Sequence, residues 1–204
     1  MKKLKKIFIA IAVLLVIGMI GSLFEKDDSS SKTNSNQNTS QESNDNADKK
    51  DYDYSTMQPN SEEFLNALKS QFETLEVKYI EDSGYVYIAL DGTNALSGKS
   101  EAKRVALTGA NILKKLSKNN SIKGVSINSR METIDDKGNK SMDNVIQSSF
   151  TKEIIDSIDH DNWRQLLVQK NFYTKYYTTA DTFLIYPSLQ KEIPEEDLNN
   201  IYIK

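Results

Sequence analysis

The sequence contains no cysteine, one histidine, three prolines and eight glycines in 204 residues. Without cysteine there is no disulfide, no thiolate metal site and no cysteine nucleophile. One histidine does not furnish a typical zinc site. A Ser-His-Asp triad built on His160 would also need a strained nucleophilic serine, and no G-x-S-x-G is present. A surplus of positive charge is missing too: 26 Lys+Arg stand against 29 Asp+Glu, a net charge of −3. A general nucleic-acid binder needs a positive field, so nucleic acid is not an expected partner. No repeat of fixed period is visible, which argues against a solenoid. Neither a metal nor a cofactor is expected.

What the chain does have is one long apolar run. Ile7 to Phe24 is eighteen residues without a charge, about 27 Å as a helix against a hydrocarbon core of about 30 Å. Lys2, Lys3, Lys5 and Lys6 precede it, and Glu25, Asp27 and Asp28 follow it. That asymmetry predicts a single-pass signal anchor, with the N-terminus cytoplasmic and everything after Phe24 extracellular. A cleaved secretory signal is the alternative, and the protein would then be secreted. Gly21 and Ser22 suit a cleavage site, but Met19 and Ile20 do not suit the small-residue pattern, and the run exceeds the usual signal core. A lipid-modified cysteine is excluded. A buried helix of a soluble protein would need core on every side.

Residues 25–60 follow as a polar stretch rich in Ser, Asn, Gln and Asp, with almost no apolar side chain before Tyr52. Such a segment buries too little to offset chain entropy, so it reads as a disordered linker. As a coil its root-mean-square span is roughly 30–36 Å. Its simplest role is a spacer; Tyr52 and Tyr54, set between acids, are a candidate docking patch. The remaining residues, 61–204, make one domain with enough chain for a core. Both exported parts are mildly acidic.

Within that domain Ser61 reads as an N-cap, followed by Glu62 and Glu63 at the positive helix end and by Phe64, Leu65, Leu68 and Phe72 on one face. Leu75–Tyr79 and Tyr85–Leu90 alternate with period two around Asp82-Ser83-Gly84, which predicts a hairpin with Val86, Ile88 and Leu90 on one face and Tyr85 and Tyr87 on the other. From Gly98 to Ser117, Ala102, Val105, Ala106, Gly109, Ile112, Leu113 and Leu116 trace a helical face, and Gly109 and Ala110 keep part of it small for close packing. A second hairpin turns at Asp135–Asn139. Thr151–Ile158 reads as a short capped helix, and Asp161 as the cap of another carrying Trp163, Leu166 and Leu167. Lys170–Thr179 is ambiguous. Thr182–Tyr186 reads as a last strand, ended by Pro187. The order α-β-β-α-β-β-α-α-β predicts an α+β fold: a mostly antiparallel sheet of two hairpins and a C-terminal strand, with helices on one face.

Several stretches invite chemistry. Gly92 to Ser100, GTNALSGKS, follows a strand and opens a helix as a P-loop does, but has five residues between its glycines where a P-loop has four. A loop with Ser97 or Ser100 as helix N-cap is the plainer reading. Asp135, Asp136, Asn139 and Asp143 depart from a calcium loop at almost every position and read as a turn. His160, near a helix start, reads as structural or solvated. Glu195-Glu196 sits in an acidic tail and gives no sign of a glycosidase pair. The densest aromatic and basic group is Tyr173, Tyr176 and Tyr177 with Lys170 and Lys175. With Trp163 and Phe172 it is the candidate contact surface, able to stack on sugars, bases or a peptide. The competing reading is a set of half-buried tyrosines covering the core.

The basic-start anchor, the Ser/Asn/Gln linker, T-K-E-I-I (Thr151–Ile155) after a hairpin and F-L-I-Y-P (Phe183–Pro187) near the end carry a resemblance. Residues 75–190 resemble small exported domains encoded near prophages and integrated elements of Gram-positive bacteria. Some proteins of that layout are superinfection-exclusion or immunity factors. The topology and the lack of a catalytic constellation point to a non-enzymatic, membrane-tethered extracytoplasmic binding domain that contacts a surface or membrane protein; the resemblance adds superinfection exclusion or immunity as its expected role and implies no site residues. Other readings stay open: a bacteriocin or toxin immunity protein, a structural subunit resembling the exported α+β assembly domains of conjugation systems, and a wall-polymer enzyme using Glu132, Asp135 or Asp136.

Overall fold

The computed structural model describes residues 51–93, 95–169 and 172–202. The apolar run Ile7–Phe24 and the polar stretch up to residue 50 lie outside the described residues, so the anchor is not among the elements below. No helix among the described residues is long and apolar enough to cross a membrane.

Helix α1 spans Glu62–Phe72, and Ser61 caps it by accepting from the Phe64 N–H. It ends on Glu73, which takes a left-handed conformation (φ 51°) as helix C-termini commonly do. Strands β1 (Thr74–Ile80) and β2 (Tyr85–Asp91) form the expected antiparallel hairpin. Helix α2 (Gly98–Leu116) opens with a reciprocal Ser97–Ser100 capping box. Strands β3 (Gly124–Ile134) and β4 (Lys140–Thr151) form the second hairpin. Three short helices follow: α3 (Lys152–Ser157), α4 (His160–Val168) and α5 (Thr174–Thr179). Strand β5 (Thr182–Ile185) pairs with β4, and α6 (Pro187–Gln190) and α7 (Glu195–Tyr202) close the described chain.

The fold is α+β, and its sheet is mixed: three of its four strand pairings are antiparallel and one is parallel. The strand order is β1-β2-β3-β4-β5, and β2 pairs with β3 in parallel, from Tyr85↔Gly124 to Asp91↔Arg130. A parallel neighbour needs a crossover, and the nineteen-residue α2 between β2 and β3 supplies it. The cap of α4 is Asp159, two residues before the expected Asp161. Pro187 not only ends the last strand but starts α6 at its first turn, where its missing N–H costs nothing.

One sheet face carries Val86, Ile88, Leu90, Val125, Ile127, Ile146, Phe150 and Ile185, all essentially inaccessible. The apolar stripe of α2, Ala102 through Leu116, joins them in one core with Phe64 and Leu68 of α1, Leu167 of α4 and Ile201 of α7. Burial at roughly 25 cal/mol per Å² of apolar surface is the main force holding the layers together. The core begins before residue 61. Tyr54 is 1% exposed, packs edge-on against Phe64 at 5.7 Å and donates to Gln71 Oε1 at 2.7 Å. Buried Asn119 donates to the carbonyls of Tyr54 (2.7 Å) and Met57 (2.9 Å) and accepts from the Ser121 N–H at 2.9 Å. Residues 51–60 thus belong to the packed domain, not to the spacer; Tyr54 is a core side chain rather than half of a docking patch.

Candidate functional site: the open face of the sheet

Period two puts the alternate residues of each strand on the second face. The registers align Glu76 with Ala89, Lys78 with Tyr87, and Ile80 with Tyr85. They continue into Gly124, Ser126, Asn128 and Arg130 of β3, then Ser149, Gln147 and Asn144 of β4, then Thr182 and Leu184 of β5. Where the first face is apolar and sealed, Tyr85, Tyr87, Ser126, Arg130, Gln147 and Ser149 here keep partial exposure. Tyr85 lies over Gly124: a methyl at that glycine would sit 2.5 Å from its ring Cε1. Asn128 is buried among these neighbours and donates to Ile88 O (3.3 Å) and Ser126 Oγ (3.2 Å).

Toward the β1 edge this face hollows into a space of about 390 Å³ lined by Glu76, Lys78, Ile80, Tyr87, Arg130, Met142, Asp143 and Asn144. Glu76 pairs with Lys78 and, at 3.3 Å, with Arg130; these cations, Lys78 foremost, hold its carboxyl below the usual range. Hydrogen bonds from Thr133 and Ser141 do the same for Asp143. Tyr87 donates to Asn144 Oδ1 at 3.3 Å. Arg130 reaches Glu76 and the Met142 carbonyl, both at 3.3 Å. Two long bonds use little of a guanidinium with five N–H donors. The hollow therefore offers donors in a plane, a phenol ring, two apolar side chains and carboxylates. Such groups can make charged, hydrogen-bonding and stacking contacts.

The aromatic group picked out in the sequence is split by the fold. Tyr173, Tyr176 and Tyr177 are at most 1% exposed. Tyr176 meets Phe150 at 5.0 Å, stacks with half-buried Trp163 at 5.9 Å and shares a 2.8 Å hydrogen bond with Ser148 Oγ. Tyr177 donates to Ala102 O at 2.7 Å and Tyr173 to Asp197 Oδ2 at 3.0 Å. Burial pushes all three phenols above their ordinary pKa, so they remain donors. These tyrosines are core, not a contact surface. Their spacing, i, i+3 and i+4, is the inward face of α5. Phe172 and Lys175 are exposed, and Lys170 lies outside the described residues. Of the apolar residues of α4, Leu167 is buried and Leu166 is 43% exposed.

The P-loop-like segment holds its own anion. The Gly98 N–H, at the N-terminus of α2, donates to Glu192 Oε2 at 2.6 Å, and Lys99 pairs with buried Asp197 at 2.9 Å. The side-chain carboxylate of Glu192 thus occupies the position a phosphate would need. Asp135 closes the β3–β4 turn by accepting from the N–H groups of Lys137 and Asn139, each at 2.8 Å. Among the described residues no group of His, Asp and Glu is arranged to hold a metal ion. His160 is half-buried; its Nε2 meets Ile155 O at 3.0 Å, its Nδ1 is buried without a partner, and burial lowers its pKa. Buried Glu101 accepts from Arg104 at 2.6 and 2.8 Å and from Ser129, while Arg104 also donates to Asp91 O at 2.7 Å. This closed network ties α2 to β2 and β3.

A second space, about 780 Å³, lies between residues 51–55, the end of α2 and the α3–α4 turn. Two of its lysines pair with acids, Lys115 with Asp51 and Lys114 with Asp161, both at 2.5 Å. No protein-family model, no curated protein and no solved structure matches this chain.

Proposed function

We propose that this chain is a non-enzymatic, membrane-tethered extracytoplasmic binding domain. The open sheet face contacts another protein at the cell surface, and the outcome is protection of the host cell by excluding superinfecting phage. The observation that carries the binding role is the hollow around Tyr87, Arg130 and Asn144. Tyrosine and arginine are the residue types that dominate interface hot spots, and the mixed charge of Glu76, Lys78, Arg130 and Asp143 suits a protein surface better than a polyanion. The apolar run Ile7–Phe24 with its flanking lysines supports the tether. The exclusion role follows the resemblance described above.

The test is phage challenge of cells carrying the full chain, the Arg130→Ala/Tyr87→Ala double variant, or neither. Membrane levels are matched by immunoblot. The expected result is normal adsorption with blocked DNA entry for the full chain and restored entry for the double variant. Entry unaffected by the full chain refutes exclusion, and equal protection by the double variant refutes the role of the open face.

A further inference from the structure

The two edges of the sheet are built differently. β5 spans four residues, and Pro187 follows two positions after it. Short strands and nearby prolines are common ways of keeping an edge from pairing. β1 runs seven residues, Thr74–Ile80, without proline; its one bulge is confined to Thr74–Glu76, and no strand among the described residues lies beyond it. The outward N–H and C=O groups of such a strand are a template for another chain. At its two ends Leu75 is 41% and Ile80 44% exposed. Lys78 is the residue that would ordinarily deter pairing, yet Glu76 lies two positions away on the same sheet face.

We propose that β1 pairs antiparallel with β1 of a second copy, about a twofold axis at Val77, joining two five-stranded sheets into one of ten strands. The charges select this register. With the axis at Val77, Glu76 of each copy lies opposite Lys78 of the other, and Val77 lies opposite itself. An axis at Glu76 would set carboxylate against carboxylate, and one at Lys78 ammonium against ammonium. Axes between residues would set charges opposite apolar side chains and turn the second sheet over. The regular ladder is centred on Glu76, Val77 and Lys78, because the bulge between Thr74 and Glu76 interrupts it beyond that point. Glu76, Lys78 and Ile80 line the hollow on the open face, so the second copy brings its own Glu76 and Lys78 to that border and sets two hollows side by side. This pairing goes beyond the binding role proposed above and does not depend on it.

The absence of cysteine gives a clean test, because Val77→Cys is then the sole thiol. Residues directly opposite in an antiparallel pair have Cα atoms about 4.5–5.5 Å apart, within disulfide range. The full chain is oxidised mildly in its membranes and run on a non-reducing gel. Val77→Cys is expected to run mostly as a two-chain species, while Lys137→Cys, in the exposed β3–β4 turn, stays single. No dimer at Val77→Cys, or equal dimer at both positions, overturns the proposal. A second measurement guards against a packing defect at Val77: the mass of the detergent-solubilised wild type and of Lys78→Glu by light scattering. The wild type should have a two-chain mass, and Lys78→Glu, which places two pairs of like charges face to face, should dissociate about tenfold more readily. A single-chain wild type, or a variant that dimerises as tightly, also overturns it.

Discussion

Gly109 sits in the middle of α2, where glycine ordinarily costs a helix about 1 kcal/mol relative to alanine. On propensity alone, Gly109→Ala should stabilise the domain. The fold argues the opposite. A methyl at Gly109 would run into the Tyr176 hydroxyl and lie 2.7 Å from both Cε2 and Cζ of the same ring. The ring cannot step back freely, because Phe150 at 5.0 Å, Trp163 at 5.9 Å and Tyr177 at 5.2 Å surround it. Overpacking of this kind costs about 1–3 kcal/mol. Displacing the hydroxyl also strains its bond to Ser148, a further loss of about 1 kcal/mol. Setting these against the propensity gain leaves Gly109→Ala destabilised by about 1–3 kcal/mol, or roughly 3–10 °C in Tm for a domain of this size. Thermal and urea unfolding followed by the fluorescence of Trp163 measures it, since the indole stacks on the displaced ring. Tyr176→Phe removes the atom nearest the new methyl, so the double variant should lose less than the sum of the two single changes. A Gly109→Ala domain as stable as the wild type, or additive losses in the double variant, would refute this account of the packing.

Asn119→Ala leaves the carbonyls of Tyr54 and Met57 and the N–H of Ser121 without their partner. It should cost about 2–3 kcal/mol in urea unfolding and expose residues 51–57 to rapid proteolysis. Lys99→Ala removes the cation from buried Asp197 and leaves it the Tyr173 hydroxyl as its side-chain partner among the described residues. Because Lys99 is itself 40% exposed, the loss should be modest, about 1–2 kcal/mol, and ATP titrated against the wild type should give no heat in calorimetry. His160 has its pKa lowered by burial, so the unfolded chain binds its proton more readily than the folded one. Stability should therefore fall as pH drops below about 6.5, the ordinary histidine value, and level off below the folded pKa. With Nε2–H bonded to Ile155 O, a second proton would go to Nδ1, which has no acceptor. His160→Gln should flatten the unfolding free energy between pH 7 and pH 5, and an unchanged slope would remove His160 as its cause.

Local signals in the sequence located most of the elements. Ser61 before two glutamates, the alternation of Tyr85–Leu90, the stripe from Ala102 to Leu116 and the turn at Asp135–Asn139 each act within one element and need no distant partner. The small patch at Gly109 and Ala110 announced a close neighbour, and that neighbour is Tyr176. The parallel pairing of β2 with β3 was less visible, because the two hairpins read naturally as separate units; a long helix between them is the crossover signal. Tyr54 was concealed by the polar composition around it, since one buried ring does not alter the average of a stretch. The tyrosines of α5 stood out as a dense group, but density does not distinguish an exposed platform from an inward face, whereas their i, i+3, i+4 spacing does. The hollow on the open face joins residues from β1, β2, β3 and β4, more than fifty positions apart in places. Only the strand register brings Tyr87, Arg130 and Asn144 together.

Site-specific photocrosslinking from the open face in living cells tests whether that face meets another protein. A photoreactive phenylalanine analogue replaces Tyr87 in the full chain, and in a parallel strain Gln165, exposed on α4. Position 87 is expected to give a discrete adduct with another surface or membrane protein, and position 165 none. No adduct from position 87, or the same adducts from both positions, would contradict a binding role for the open face.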